Sequence, residues 1–125
     1  MLCPKCSGAI ETVRYEDVEV DRCTQCSGLW FDELELNKVR GPRAATAVDT
    51  GDPKAGRRMN QKGSFNCPRC QGPTMLRMVD LDQPHIWYEE CTVCHGVWLD
   101  AGELRDLSRK DLFDQVRDML SGERT

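Results

Sequence analysis

The sequence predicts a small, metal-stabilised α+β protein made of two like units, and three observations carry that prediction. The 125 residues include eight cysteines, and all of them fall into four Cys-x-x-Cys pairs: Cys3 and Cys6, Cys23 and Cys26, Cys67 and Cys70, Cys91 and Cys94. The stretch CTQCSGLWFDELEL at 23–36 returns as CTVCHGVWLDAGEL at 91–104, with eight of fourteen positions identical. Each repeat also closes a unit of about 40 residues, a size at which a hydrophobic core needs help from a metal, disulfides or a partner.

The elements follow in order. After the first cysteine pair, TVRYEDVEVDRC alternates apolar and polar residues on either side of Glu16-Asp17, which predicts a two-stranded hairpin. Leu29-Trp30-Phe31 reads as a short third strand. Asp32 with Glu35 three residues later forms a capping-box signal, so a brief helix should start there and end near Gly41-Pro42.

The second unit repeats this plan with TMLRMV, a turn region DLDQP holding His85 just beyond it, HIWYEEC, the strand Val97-Trp98-Leu99, and Asp100 with Glu103. Leu36 and Leu104 should pin each helix onto its unit's tryptophan. Unit one is expected over 1–40 and unit two over 67–107, followed by a C-terminal amphipathic helix and tail over 108–125. Leu112, Phe113, Val116, Met119 and Leu120 give that last helix one apolar face. Between the units, residues 41–66 contain four Gly, two Pro and no apolar period, and read as a flexible basic linker.

Two Cys-x-x-Cys turns separated by 16 or 20 residues match a four-thiolate site. Two sulfurs three positions apart on a tight turn can face one ion, and two such turns complete a tetrahedron. The glycines soon after each second cysteine of a pair (Gly8, Gly28, Gly72, Gly96) are expected to take positive φ and let backbone amides point at sulfur. Two Zn²⁺ per chain are the expected cofactors, with all eight cysteines as ligands. Iron in a rubredoxin-like site uses the same tetrahedron, and a thiol redox role is a further alternative. Closed coordination by four thiolates leaves no position for water or substrate, so the sites read as structural and the chain as non-catalytic. Trp30 and Trp98 are expected beside the metal as shields, with stacking on a nucleobase as the alternative. His95 stands where unit one has Ser27 and is expected to be solvated.

The formal net charge is −4, and metal-bound thiolates would make the chain more negative still, which disfavours nucleic acid. Only the stretch 41–66 is net positive, with five basic and two acidic residues, and Arg57, Arg58 and Lys62 are its candidates for phosphate contact. No run resembles a signal peptide or a membrane span, so a reducing cytoplasm is the expected compartment.

CPKC…CTQCSGLWFDELEL and CPRC…CTVCHGVWLDAGEL resemble the transcription-factor-IIB-type zinc-ribbon family of small prokaryotic proteins. The shared pattern is Cys-Pro-x-Cys, a hairpin, Cys-x-x-Cys-x-Gly, then Trp-x-Asp-x-x-Glu-Leu. Unit one departs from it at Leu34, where unit two has Gly102. The resemblance implies two tandem zinc β-ribbons. For the function, the sequence leads to a protein-interaction or assembly module, with a protein partner or a homodimer through the C-terminal helix. A nucleic-acid-binding, transcription-associated ribbon is the alternative.

Overall fold

The computed structural model describes residues 1–33, 35–39, 41–79 and 87–108. The turn region 80–86 and the apolar stripe Leu112, Phe113, Val116, Met119 and Leu120 lie outside the described residues.

In unit one, β1 (Ile10–Tyr15) and β2 (Val18–Cys23) pair antiparallel with Tyr15 opposite Val18. The two-residue connection is possible because Glu16 takes φ 56°. The third strand, β3 (Leu29–Phe31), pairs with β2 and is followed by one turn of helix, α1 (Glu35–Lys38). Unit two supplies β4 (Leu76–Val79), β5 (Trp87–Glu90) and β6 (Val97–Leu99), and then helical residues 103–108, here α4.

The two third strands pair with each other. Leu29 lies opposite Leu99, Trp30 opposite Trp98 and Phe31 opposite Val97, antiparallel. One six-stranded sheet results, in the order β1-β2-β3-β6-β5-β4, and the repeats are related by an approximate twofold axis near the Trp30–Trp98 pair. Side chains alternate across a strand. Leu29, Phe31 and Leu99 therefore enter a core with Val18, Val20, Val39 and Leu104 on one face, while Trp30 and Trp98 join the cysteines on the other.

This division corrects one expectation. Leu36 and Leu104 do hold their helices to the sheet, but against the aliphatic face rather than the tryptophans.

The expected linker is a second correction. Residues 41–66 hold two helices, α2 (Pro42–Val48) and α3 (Pro53–Asn60). Proline read as a breaker is here a helix starter, since both helices carry Pro at their first positions, where a missing N–H costs nothing. Asp52 caps α3 by accepting from the Lys54 amide at 2.9 Å. The buried side of α2 is Ala44, Ala45 and Val48, too short and too small a pattern to show as a period, yet all three enter the aliphatic core.

Between these helices, the buried carboxylate of Asp49 accepts from the amides of Gly102 (2.9 Å) and Arg105 (3.1 Å), so it caps α4 from outside unit two. At Gly56 the α3 backbone approaches so closely that a Cβ would sit 2.0 Å from the Ala101 carbonyl oxygen. The segment 41–66 is thus a strap that fastens unit one to unit two.

Candidate metal centres

Each Cys-x-x-Cys pair that opens a hairpin, and each that closes one, folds into the same turn. In unit one, the Ser7 amide donates to the Cys3 carbonyl and the Ser27 amide to the Cys23 carbonyl. The Cys3 and Cys23 amides in turn donate to the carbonyls of Gly8 and Gly28 at 2.8 and 2.9 Å. The left-handed residue of each turn is the one before the glycine: Ser7, Ser27, Gln71 and His95 have φ between 61° and 66°. The expectation that the glycines supply the positive φ is therefore wrong by one residue, and two of them have a different task, described below.

These turns aim amides at sulfur. Cys3 Sγ accepts from the amides of Lys5 and Cys6, both at 3.4 Å, and Cys23 Sγ from Gln25 and Cys26 at 3.3 and 3.4 Å. In unit two, Cys67 Sγ accepts from Cys70, and Cys91 Sγ from Val93 and Cys94. Such donors favour the thiolate and set its orientation toward an ion.

The eight sulfurs form two groups, Cys3/Cys6/Cys23/Cys26 and Cys67/Cys70/Cys91/Cys94, with the ligand atoms of each group within 4.8 Å of one another. Cys3 and Cys26 sulfurs are 3.8 Å apart, Cys6 and Cys23 3.3 Å, Cys67 and Cys94 3.8 Å, and Cys91 and Cys70 3.9 Å. A tetrahedron with bonds of about 2.3 Å has edges of about 3.8 Å, so the quartets are pre-shaped for a Zn–S₄ centre. All eight thiols are free of disulfides.

Crowding splits their proton affinities. The hydrogen bond with Cys26 brings Cys3 down to about 5, and the same bond pushes Cys26 up. Burial works to raise Cys91, but hydrogen bonds from the amides of Cys94 and Val93, joined by those with the Cys67 and Cys94 thiols, together bring it to about 7. A divalent cation resolves this competition by allowing all four thiols to ionise, with release of protons. The donor set fits zinc, and the chain carries two Cys₄ sites that bind two Zn²⁺.

The tryptophans tie the two centres together. Both are fully buried, in one cluster with cysteines of both quartets, so the nucleobase-stacking alternative for Trp30 and Trp98 is excluded. A Cβ at Gly28 would lie 2.3 Å from a ring atom of Trp98, and one at Gly96 would lie 2.2 Å from a ring atom of Trp30. Each ring therefore lies on the knuckle of the other unit, and each glycine leaves room for it.

The Asp of the repeated Trp-x-Asp takes part in the same exchange. Asp32 Oδ1 accepts from Trp30 Nε1 at 3.2 Å and Asp100 Oδ1 from Trp98 Nε1 at 3.0 Å. The capping box is half formed: Glu35 and Glu103 accept from the backbone amides of Asp32 and Asp100. The aspartate side chains instead meet a cation from the opposite unit's first knuckle. Lys5 Nζ reaches Asp100 (2.7 Å) and Glu89 (3.0 Å) in a buried cluster, whereas Arg69 reaches Asp32 (2.8 Å) in the open. Lys5 and Arg69 occupy the variable position of Cys-Pro-x-Cys, which in sequence shows no sign of a partner 95 or 37 residues away.

Of the predicted phosphate-contacting residues, Arg57 and Arg58 lie in the last turn of α3 and Lys62 just beyond it, all exposed. The structure extends this group. From Pro53 to Val79 the chain carries six basic residues and no acidic one: Lys54, Arg57, Arg58, Lys62, Arg69 and Arg77, every one exposed. Arg77 on β4 donates to the Asn60 carbonyl at the end of α3, which joins this helix to the outer hairpin of unit two. His95 is half exposed, 3.7 Å from Glu90, and outside the quartet, as expected. Among the described residues no helix is long and apolar enough to cross a membrane.

The family described as transcription factor zinc-finger matches this chain twice, over residues 2–40 and 66–110. No curated protein and no solved structure matches it.

Proposed function

The chain belongs to the transcription factor zinc-finger family of zinc ribbons, and we propose that it is a non-catalytic, zinc-held module that binds nucleic acid, with Cys3, Cys6, Cys23 and Cys26 holding one ion and Cys67, Cys70, Cys91 and Cys94 the other. The observation that carries the binding reading is the run Pro53–Val79, with six exposed basic side chains and no acid. The overall charge of −4 is thus a sum of unlike parts: this stretch is strongly positive and the remainder correspondingly more negative. Attraction to a polyanion depends on the local field of such a stretch rather than on net charge. Eight cysteines kept as zinc ligands rather than disulfides suit a reducing compartment, which points to the cytoplasm.

The test is a salt titration of the zinc-loaded protein against single- and double-stranded oligonucleotides. Binding should weaken steeply and log-linearly with salt, and Arg58→Glu with Lys62→Glu should flatten that slope. Absence of binding at low salt overturns the proposal. Elemental analysis should accompany it and return two zinc per chain; an iron-loaded, visibly coloured protein would overturn the metal assignment.

A further inference from the structure

The third tryptophan differs from the other two. Trp30 and Trp98 are fully buried, but Trp87, at the start of β5, is 39% exposed. It lies opposite Val79 on β4, and the Arg77 guanidinium sits 5.1 Å from its ring centroid. Leu76, 51% exposed, belongs to the same outer strand. Beside this hairpin is a cleft of about 180 Å³ lined by Lys62, Ser64, Phe65, Arg77 and Glu89, among others. Glu89 is held there by Lys5, so among the described residues the basic side chains lining the cleft are Lys62 and Arg77.

From this arrangement we infer that the outer hairpin of unit two is a single-strand nucleic-acid subsite, in which a base stacks on Trp87 while the neighbouring phosphates meet Arg77 and Lys62. The inference rests on the nucleic-acid reading above and narrows it to unpaired strands. A duplex keeps its bases stacked on one another, so only an unpaired base can present a face to an indole. Aromatic stacking flanked by cations is how sequence-tolerant single-strand sites are built. Trp87 lies outside the buried core, which in unit two includes Trp98, Leu99 and Leu104, all fully buried.

The burial of the other two tryptophans makes Trp87 its own reporter. Titration of the full, zinc-loaded chain with a short oligothymidylate should quench the solvent-exposed part of the tryptophan emission saturably. The matching duplex should leave that part nearly unchanged. Trp87→Leu should weaken single-strand binding on the order of 5- to 100-fold while keeping the salt slope, and Lys62→Ala should lower the slope. Circular dichroism and zinc content establish that each variant is folded. Equal affinity for single strand and duplex, with no quenching and no effect of Trp87→Leu, overturns the stacking subsite but leaves the electrostatic reading standing. No binding of either nucleic acid at low salt overturns both.

Discussion

Gly96→Ala is the sharpest test of how the two ribbons are joined. A Cβ at Gly96 would lie 2.2 and 2.4 Å from two atoms of the Trp30 ring and 3.1 Å from a third. Gly96 has no positive φ, so alanine brings no backbone strain. In open space, glycine to alanine stabilises by about 0.4–1 kcal/mol through the unfolded chain. Here that gain meets a ring that cannot retreat, because Trp30 is fully buried among the cysteines. Overpacking of this kind costs about 1–3 kcal/mol, and contacts this short place the variant toward the upper end. Gly72→Ala is the control, since nothing lies within 4 Å of its Cβ. Denaturant unfolding of the zinc-loaded proteins should show Gly96→Ala destabilised by about 2–3 kcal/mol and Gly72→Ala near or above the parent. Trp30→Phe, which removes part of the clashing ring, should recover stability in the Gly96→Ala background but destabilise the parent, a coupling readable from a double-mutant cycle. If Gly96→Ala behaves like Gly72→Ala, the ring of one unit does not rest on the knuckle of the other, and the reasoning fails.

The cross-unit ion pairs should differ sharply in weight. Lys5→Met leaves Asp100 and Glu89 buried without their cation and should cost about 3–5 kcal/mol, whereas Arg69→Met removes an exposed pair and should cost no more than about 1 kcal/mol; similar losses in urea titrations would contradict this contrast. Burial, followed by the nearby Asp100 charge, raises Glu103 from 4.5 to about 9. Its folded-state affinity for a proton exceeds the unfolded one, so the stability it contributes is present at low pH and lost as pH rises from about 4.5 through 9. Zinc-loaded protein should accordingly be less stable at pH 9 than at pH 7, and Glu103→Gln should shrink that difference; an unchanged difference refutes the assignment. Asp49→Ala removes the carboxylate from the start of α4 and should cost about 1–2 kcal/mol, with the melting temperature as readout.

Much of the fold was legible because its signals are local. Paired cysteines, the alternation in TVRYEDVEV and the Asp-x-x-Glu spacing each act within a few residues, and β1, β2, β3 and the helix starts fall where they point. The quartets were legible for the same reason, since a thiolate knuckle is a property of four consecutive residues. What joins the units was hidden because it is long-range. Nothing in CPKC announces that Lys5 will be buried against Asp100, and Gly28 and Gly96 look like turn glycines until the opposite ring is seen above them. The strap was missed for a subtler reason. Its buried side is Ala44, Ala45, Val48 and Gly56, too few and mostly too small to leave a hydrophobic period, yet the smallness of Gly56 is what allows α3 to lie so close to the Ala101 backbone. Repetition itself held a clue: Gly, Trp and Asp recur together because each unit uses them to receive the other.

The central claim is that two Cys₄ zinc centres belong to one interlocked body, with each unit's tryptophan packed on the other's knuckle. Because zinc binding and folding share one free energy, the claim is tested most directly by native mass spectrometry of the apo-protein titrated with zinc. Interlocked units predict apo and two-zinc species at half-loading, with the one-zinc form well below its binomial share. A binomial or larger one-zinc population, with half of the chain folded, would show two independent ribbons and contradict the account.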